Sequence, residues 1–163
     1  MRIYFITILI GIVTMLLPGC DKKANPDPDP DPLSADARLL EMVNQHRAAG
    51  AVCGTEQRSA VPALKWSAAL KAAALAHSAD MNAKGFFGHT GSDGSNTGQR
   101  IAIQGYIAST YGENIAKGSF TEKAAIDGWM NSPDHCKNIM NGSFKEIGIA
   151  RSGDYWTMVL AAR

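Results

Sequence analysis

Three polar side chains stand in the sequence contexts where chemistry is usually placed. His89 follows Phe86-Phe87-Gly88 and precedes Thr90 and a glycine-rich turn. Glu113 sits with Asn114 between Gly112 and Ile115-Ala116, and His135 comes after Ser132-Pro133-Asp134 at a helix start. Loops and helix starts carried by a rigid scaffold are where functional groups converge. Two imidazoles and a carboxylate make a three-ligand site for Zn²⁺ or another divalent cation with one open position, or equally a hydrogen-bonded polar cluster without metal. The three are separated by 24 and 22 residues, so spacing alone leaves both readings open. The chain has no H-E-x-x-H, C-x-x-C or G-x-S-x-G pattern. The other two histidines, His46 and His77, lie on helical faces beside apolar residues and read as hydrogen-bonded core histidines.

Three cysteines are too few for a disulfide-stapled miniprotein. Cys53 and Cys136 form an even pair in what reads as an exported domain, where a disulfide is the expected state. Its loop would span 83 positions, and chain entropy caps its stabilisation at about 4–5 kcal/mol. It would also hold His135 in place. The competing use of Cys136 is as a thiol nucleophile with His89 as base, since His135 is its immediate neighbour and adjacent helical side chains do not face each other.

Cys20 belongs to a different segment. Met1-Arg2 opens the chain with positive charge, and Ile3 to Leu17 is almost wholly apolar. A helix of that length covers about 22 Å, short of the roughly 30 Å hydrocarbon core, which suits an export signal better than a permanent span. Leu17-Pro18-Gly19-Cys20 resembles a bacterial lipobox, with lipid attachment at Cys20. Residues 1–20 are therefore expected to be a lipoprotein signal peptide that anchors the chain to a membrane of the bacterial envelope, facing an extracytoplasmic compartment. Residues 21–32, DKKANPDPDPDP, cannot form a helix or a ladder, because each Pro removes a donor and extends its predecessor. They read as an extended spacer of about 35 Å.

Residues 33–163 carry the globular domain. The whole chain of 163 residues is 45% hydrophobic, with sixteen Lys+Arg against fifteen Asp+Glu. The composition excludes a wholly disordered chain, and the near-zero net charge leaves no field to hold nucleic acid. Ser34 caps a helix to about Ala49, and Ser67 caps another to about Lys84 with Leu70, Ala73, Ala74, His77 and Met81 on one stripe. The alanines imply close packing. Phe86–Thr90 is expected as a short strand, Gln99–Gln104 as a short helix, and Thr121 as the cap of a helix to Met130. Strands are expected at Glu146–Arg151 and Asp154–Ala161 around a Ser152-Gly153 turn. In the last strand Tyr155, Thr157 and Val159 face one way and Trp156, Met158 and Leu160 the other. Both faces are apolar, so helices should cover both sides of the sheet in an α+β arrangement.

The domain resembles the CAP superfamily, the SCP domain of cysteine-rich secretory proteins, antigen 5 and pathogenesis-related 1 proteins. The resemblance rests on Asn44-Gln45-His46-Arg47, Leu64-Lys65-Trp66-Ser67, Ala76-His77-Ser78-Ala79-Asp80-Met81, Phe86-Phe87-Gly88-His89-Thr90, Gly112-Glu113-Asn114-Ile115-Ala116, Trp129 to His135, and Phe144 to Ile149 with Tyr155-Trp156. These stretches occur in family order over nearly the whole domain. The resemblance implies a three-layer α-β-α sandwich. It also implies a cleft lined by two histidines and two acidic residues, of which His89, Glu113 and His135 match three. The position of the other acid is Ser132 here, with Glu146 as a possible substitute. Family members bind divalent metals, sterols, lipids or partner proteins.

Two functions follow as expectations. In the first, an envelope lipoprotein binds a ligand or partner through the His/Glu cleft. In the second, a metal-dependent hydrolase acts on a cell-wall or envelope substrate: His89 and His135 hold the metal and Glu113 orients water or acts as general base.

Overall fold

Ser34 opens the first helix as its residue type predicts, its hydroxyl accepting from the Ala37 N–H. This is a computed structural model that describes residues 34–163. The expected signal peptide with Cys20 and the Asp-Pro spacer lie outside the described residues. The chain divides into two units, Met1–Pro30 and Asp31–Arg163, and every described element belongs to the second. In chain order these elements are α1 (Ala35–Ala49), β1 (Ala51–Cys53), β2 (Glu56–Arg58), β3 (Lys65–Trp66), α2 (Ala68–Lys84), α3 (Thr97–Ile103), β4 (Thr110–Lys117), α4 (Glu122–Met130), α5 (Pro133–Ile139), β5 (Glu146–Ser152) and β6 (Tyr155–Ala162).

The main sheet has the order β3-β5-β6-β4, with β3 parallel to β5 and the other pairs antiparallel. Alternation along β6 divides the core as the sequence predicts. Trp156, Met158 and Leu160 join Ile147 and Ile149 of β5 against Leu39 and Val43 of α1, Ile126 and Trp129 of α4 and Ile139 of α5. Val159 and Ala161 join Ala150 against Leu70, Ala73 and Ala74 of α2 and Ile101 of α3. Helices thus cover both faces of a mixed sheet, the expected α-β-α sandwich.

The alanines of α2 have a specific purpose. A Cβ placed on Gly148 of β5 would collide with the main-chain nitrogen of Lys71. The helix backbone lies directly on the strand, which small residues on both sides permit.

Two family stretches prove to be structural clamps. Asn44 donates to the Leu64 carbonyl (3.0 Å) and accepts from the Leu64 N–H (2.8 Å), fixing the chain that leads into β3. Arg47, fully buried, donates to the carbonyls of Pro62, Ile139 and Asn141. Three main-chain acceptors satisfy a charge that would be costly to bury alone.

The structure corrects several local expectations. Phe86–Thr90 forms no strand. Its carbonyls are taken by side chains instead: Gly88 O by His77 and His89 O by Arg100. Helix α3 starts at Thr97, earlier than Gln99, because Asn96 and Gln99 form a reciprocal capping box. The final hairpin turns at Gly153-Asp154, with Ser152 paired to Tyr155; Gly153 supplies the positive φ of 56° there. The β1–β2 hairpin, expected as loop, and β4 were not anticipated.

Candidate functional site

Strand β4 carries the centre of the site. It lies at the sheet edge, and Glu113 pairs with Val159, so its side chain points to the face covered by α2 and α3. The Glu113 side chain is 3% exposed and both its oxygens are engaged. Oε1 accepts from His89 Nδ1 at 2.8 Å and Oε2 from Arg100 Nη2 at 2.8 Å. His77 Nε2 lies 3.8 Å from Oε1.

The partners fix the imidazole tautomers. A carbonyl only accepts, so His77 donates through Nε2 to Gly88 O at 2.8 Å, leaving Nδ1 buried and unpartnered. Burial lowers the pKa of His77, the Glu113 carboxylate opposing and Arg100 assisting. His89 donates through Nδ1 to the carboxylate, so its Nε2 is the ring atom left to act. The His89 side chain is 58% exposed and presents that atom at the rim. Arg100 also bonds the His89 carbonyl (2.9 Å), Thr97 Oγ1 (3.2 Å) and the Ser95 carbonyl (2.8 Å). It therefore sets both the carboxylate and the backbone bearing His89.

Asn114, next to Glu113, points to the opposite face. It donates to the His135 carbonyl at 3.1 Å and accepts from Asn138 at 2.9 Å. Asn138 also donates to the Glu113 carbonyl. The start of α5 is thus tied to β4, and the Cys53–Cys136 disulfide ties it to β1. The disulfide removes Cys136 from any thiol chemistry. The pKa of His135 is lowered by burial, then by the charge of His89, with Asp134 opposing. His135 and Ser132 line a cavity of about 310 Å³ together with Ala125 and Trp129.

The candidates His89 and Glu113 are in contact, and His135 is electrostatically coupled to His89 from the neighbouring helix. Glu146 does not join them. It accepts from the Tyr106 hydroxyl and lies 3.6 Å from Arg163. Burial and Glu146 push the Tyr106 hydroxyl up to about 12. Arg100 and His77 were missed as site residues. The signal for Arg100 was its place on a short helix opened by the Asn96/Gln99 box.

The donor set does not fit the divalent cation that the resemblance implies. The guanidinium of Arg100 occupies one oxygen of the single buried carboxylate, and Ser132 supplies no second carboxylate. Among the described residues no group of three or more His, Cys, Asp and Glu side chains is placed to hold a metal. The chemistry open to the site is hydrogen bonding at His89 Nε2.

The sequence model of the Cysteine-rich secretory protein family, CAP, matches residues 40–160. The chain belongs to the CAP family. This CAP chain is 32% identical over 124 residues to the Bacillus subtilis protein YkwD, covering 75% of the chain and 45% of YkwD. It is 30% identical over 94 residues to the Bacillus subtilis membrane protein YlbC, covering 58% and 27%. The chain therefore spans less than half the length of the curated relatives it matches. Among solved structures, an extracellular protein containing a SCP domain from Bacillus anthracis matches with a TM-score of 0.65 at 23% identity, covering 82% of the chain and 45% of that one. An outer surface protein from Borrelia burgdorferi matches with a TM-score of 0.61 at 19% identity, covering 77% and 93%. These two likenesses support the CAP/SCP fold.

Proposed function

We propose that this CAP chain is an envelope lipoprotein, anchored through Cys20, whose domain binds a ligand or partner in the cleft between His89 and His135. The carrying observation is the engagement of both Glu113 oxygens, by His89 and by Arg100. A carboxylate so occupied is engaged in orienting the His89 imidazole and pairing with Arg100, which supports a recognition role over general-base work. Preorganised polar groups beside an apolar cavity are the ordinary make-up of a small binding site. The envelope setting agrees with the relatives, one described as extracellular, one as an outer surface protein and one as a membrane protein. Among the described residues no helix is long and apolar enough to cross a membrane.

Two measurements test this. Cys20→Ala should abolish incorporation of an alkyne-tagged fatty acid and release the chain from membranes; persistence of both would refute the anchor. In the full chain labelled with ¹⁵N-histidine, an extract of the native envelope should shift His89 and His135 saturably while His46 stays fixed. Unchanged cleft histidines, or equal shifts at His46, would refute the cleft.

A further inference from the structure

Another cavity, of about 290 Å³, lies between α2 and α3, where Ala76, His77 and Asp80 face Arg100 and Ile103. The loop of residues 92–95 closes it and brings Asp93 to its wall. Asp80 accepts from the N–H (2.7 Å) and the hydroxyl (2.6 Å) of Ser92, and Asp93 accepts from the Ser95 N–H (2.9 Å). These hydrogen bonds hold both carboxylates below their ordinary pKa, so both are ionised at neutral pH. The two act on each other as like charges, and among the described residues neither is in an ion pair. Their oxygens converge: a Cβ placed on Gly91 would meet Ser95 Oγ at 2.7 Å, Asp93 Oδ1 at 2.8 Å and Asp80 Oδ2 at 3.5 Å. Among the described residues the one cation lining the cavity is Arg100, which is committed to Glu113 at 2.8 Å and to the carbonyls of His89 and Ser95. Its pull on Asp93 is weaker than the hydrogen bonds from Ser95. His77 gives an independent sign. Its side chain is fully buried, and Nδ1 has no hydrogen-bond partner. Nε2 gives its proton to Gly88, so Nδ1 carries a bare lone pair. The ring nitrogens point in nearly opposite directions, which turns that lone pair away from Gly88. Buried polar atoms are rarely left without a partner.

From these acceptors we propose that the cavity between α2 and α3 binds a small alkylammonium ion, its ammonium held by Asp80 and Asp93 with one N–H turned to His77 Nδ1, and its carbon chain laid on Ala76 and Ile103. Asp80 and His77 are close enough to couple electrostatically. An ammonium group has three donors and no acceptor, which matches a wall of carboxylates and a lone pair. Charge-assisted hydrogen bonds favour it over a neutral molecule of the same shape. A carboxylate of that shape meets two unpaired anions. Among the described residues no three His, Cys, Asp and Glu side chains are placed to hold a metal, so the pair of carboxylates favours an organic cation over a bare one. A cavity of about 290 Å³ accommodates a chain of a few carbons. This site is separate from the cleft between His89 and His135 and stands whether or not that cleft binds.

The test uses three probes of similar shape, n-butylammonium, 1-butanol and butyrate, titrated at neutral pH into the full chain labelled with ¹⁵N-histidine. Butylammonium is expected to move the His77 Nδ1 resonance saturably and at least tenfold more tightly than 1-butanol, and butyrate to leave it unmoved. A smaller ratio, a saturable shift with butyrate, or no saturable shift with butylammonium would overturn the proposal. Asp80→Asn and Asp93→Asn should each weaken butylammonium at least fivefold. Asp93 is exposed, so a smaller loss in Asp93→Asn would overturn the assignment even where Asp80→Asn disturbs the loop. Asp127→Asn, on α4, should leave the affinity unchanged, and equal weakening there would overturn the assignment as well.

Discussion

Asn114 donates its side-chain amide to the main-chain carbonyl of His135, 3.1 Å away. The strand residue beside Glu113 thereby holds the helix start that carries His135. Adjacent residues on β4 point to opposite faces: one sets the carboxylate, the other anchors α5. Asn114 is fully buried, and its amide also receives Asn138. Asn114→Ala leaves these groups unsatisfied, at about 1–3 kcal/mol for each buried polar group abandoned. Denaturant unfolding should show that loss, with faster amide exchange concentrated in α5. Unchanged exchange in α5 would contradict the tether.

The disulfide fixes the same helix from its other side. Cys53→Ser should lower the melting temperature in non-reducing buffer, by an amount below the chain-entropy ceiling of about 4–5 kcal/mol for a loop of this size. Equal melting of variant and parent would show that the bond adds nothing.

Close packing of α2 on β5 makes Gly148 intolerant of any side chain. Gly148→Ala forces the strand and the Lys71 backbone apart, and overpacking of this kind costs at least about 1–3 kcal/mol. The control Gly128→Ala meets no atom within 4 Å and should be neutral or stabilising. Equal stability of the two variants would disprove the helix–strand contact.

The buried His77 and the half-buried His135 set a pH dependence. Burial lowers the pKa of both His77 and His135. A base with a depressed folded-state pKa takes up its proton more readily when unfolded. Its contribution is therefore complete above its ordinary value of about 6.5 and is lost as pH falls below it. Stability should decline between about pH 7 and pH 5, and the decline should shrink in His77→Gln. The lowered carboxylates Asp80 and Asp93 act in the same direction, but only below about pH 4. A flat profile between pH 7 and pH 5 would contradict this account.

Much of this was legible in the sequence. Ser34, Ser67 and Thr121 cap the helices they were expected to cap, because capping is a local interaction between a side chain and the next turn. The two-faced apolar pattern of β6 predicted the sandwich. Strand β4 escaped notice because Glu113 and Asn114 put buried polar groups on both its faces, hiding the alternation that marks a strand. The Phe86–Thr90 segment reads as a strand by composition, yet distant side chains, His77 and Arg100, claim its carbonyls. Arg100 was invisible as a site residue for a related reason. An arginine on a short polar helix looks solvent-facing until its partner across the fold is known.

The central claim is that Arg100 makes the Glu113 cleft a ligand site rather than a cation site. The most direct measurement is calorimetric titration of Zn²⁺ into the full chain and into His89→Ala, His135→Ala and Arg100→Gln. The account predicts no stoichiometric Zn²⁺ site in the parent that His89→Ala or His135→Ala removes. One equivalent of Zn²⁺ bound tightly by the parent and lost in both histidine variants would contradict it.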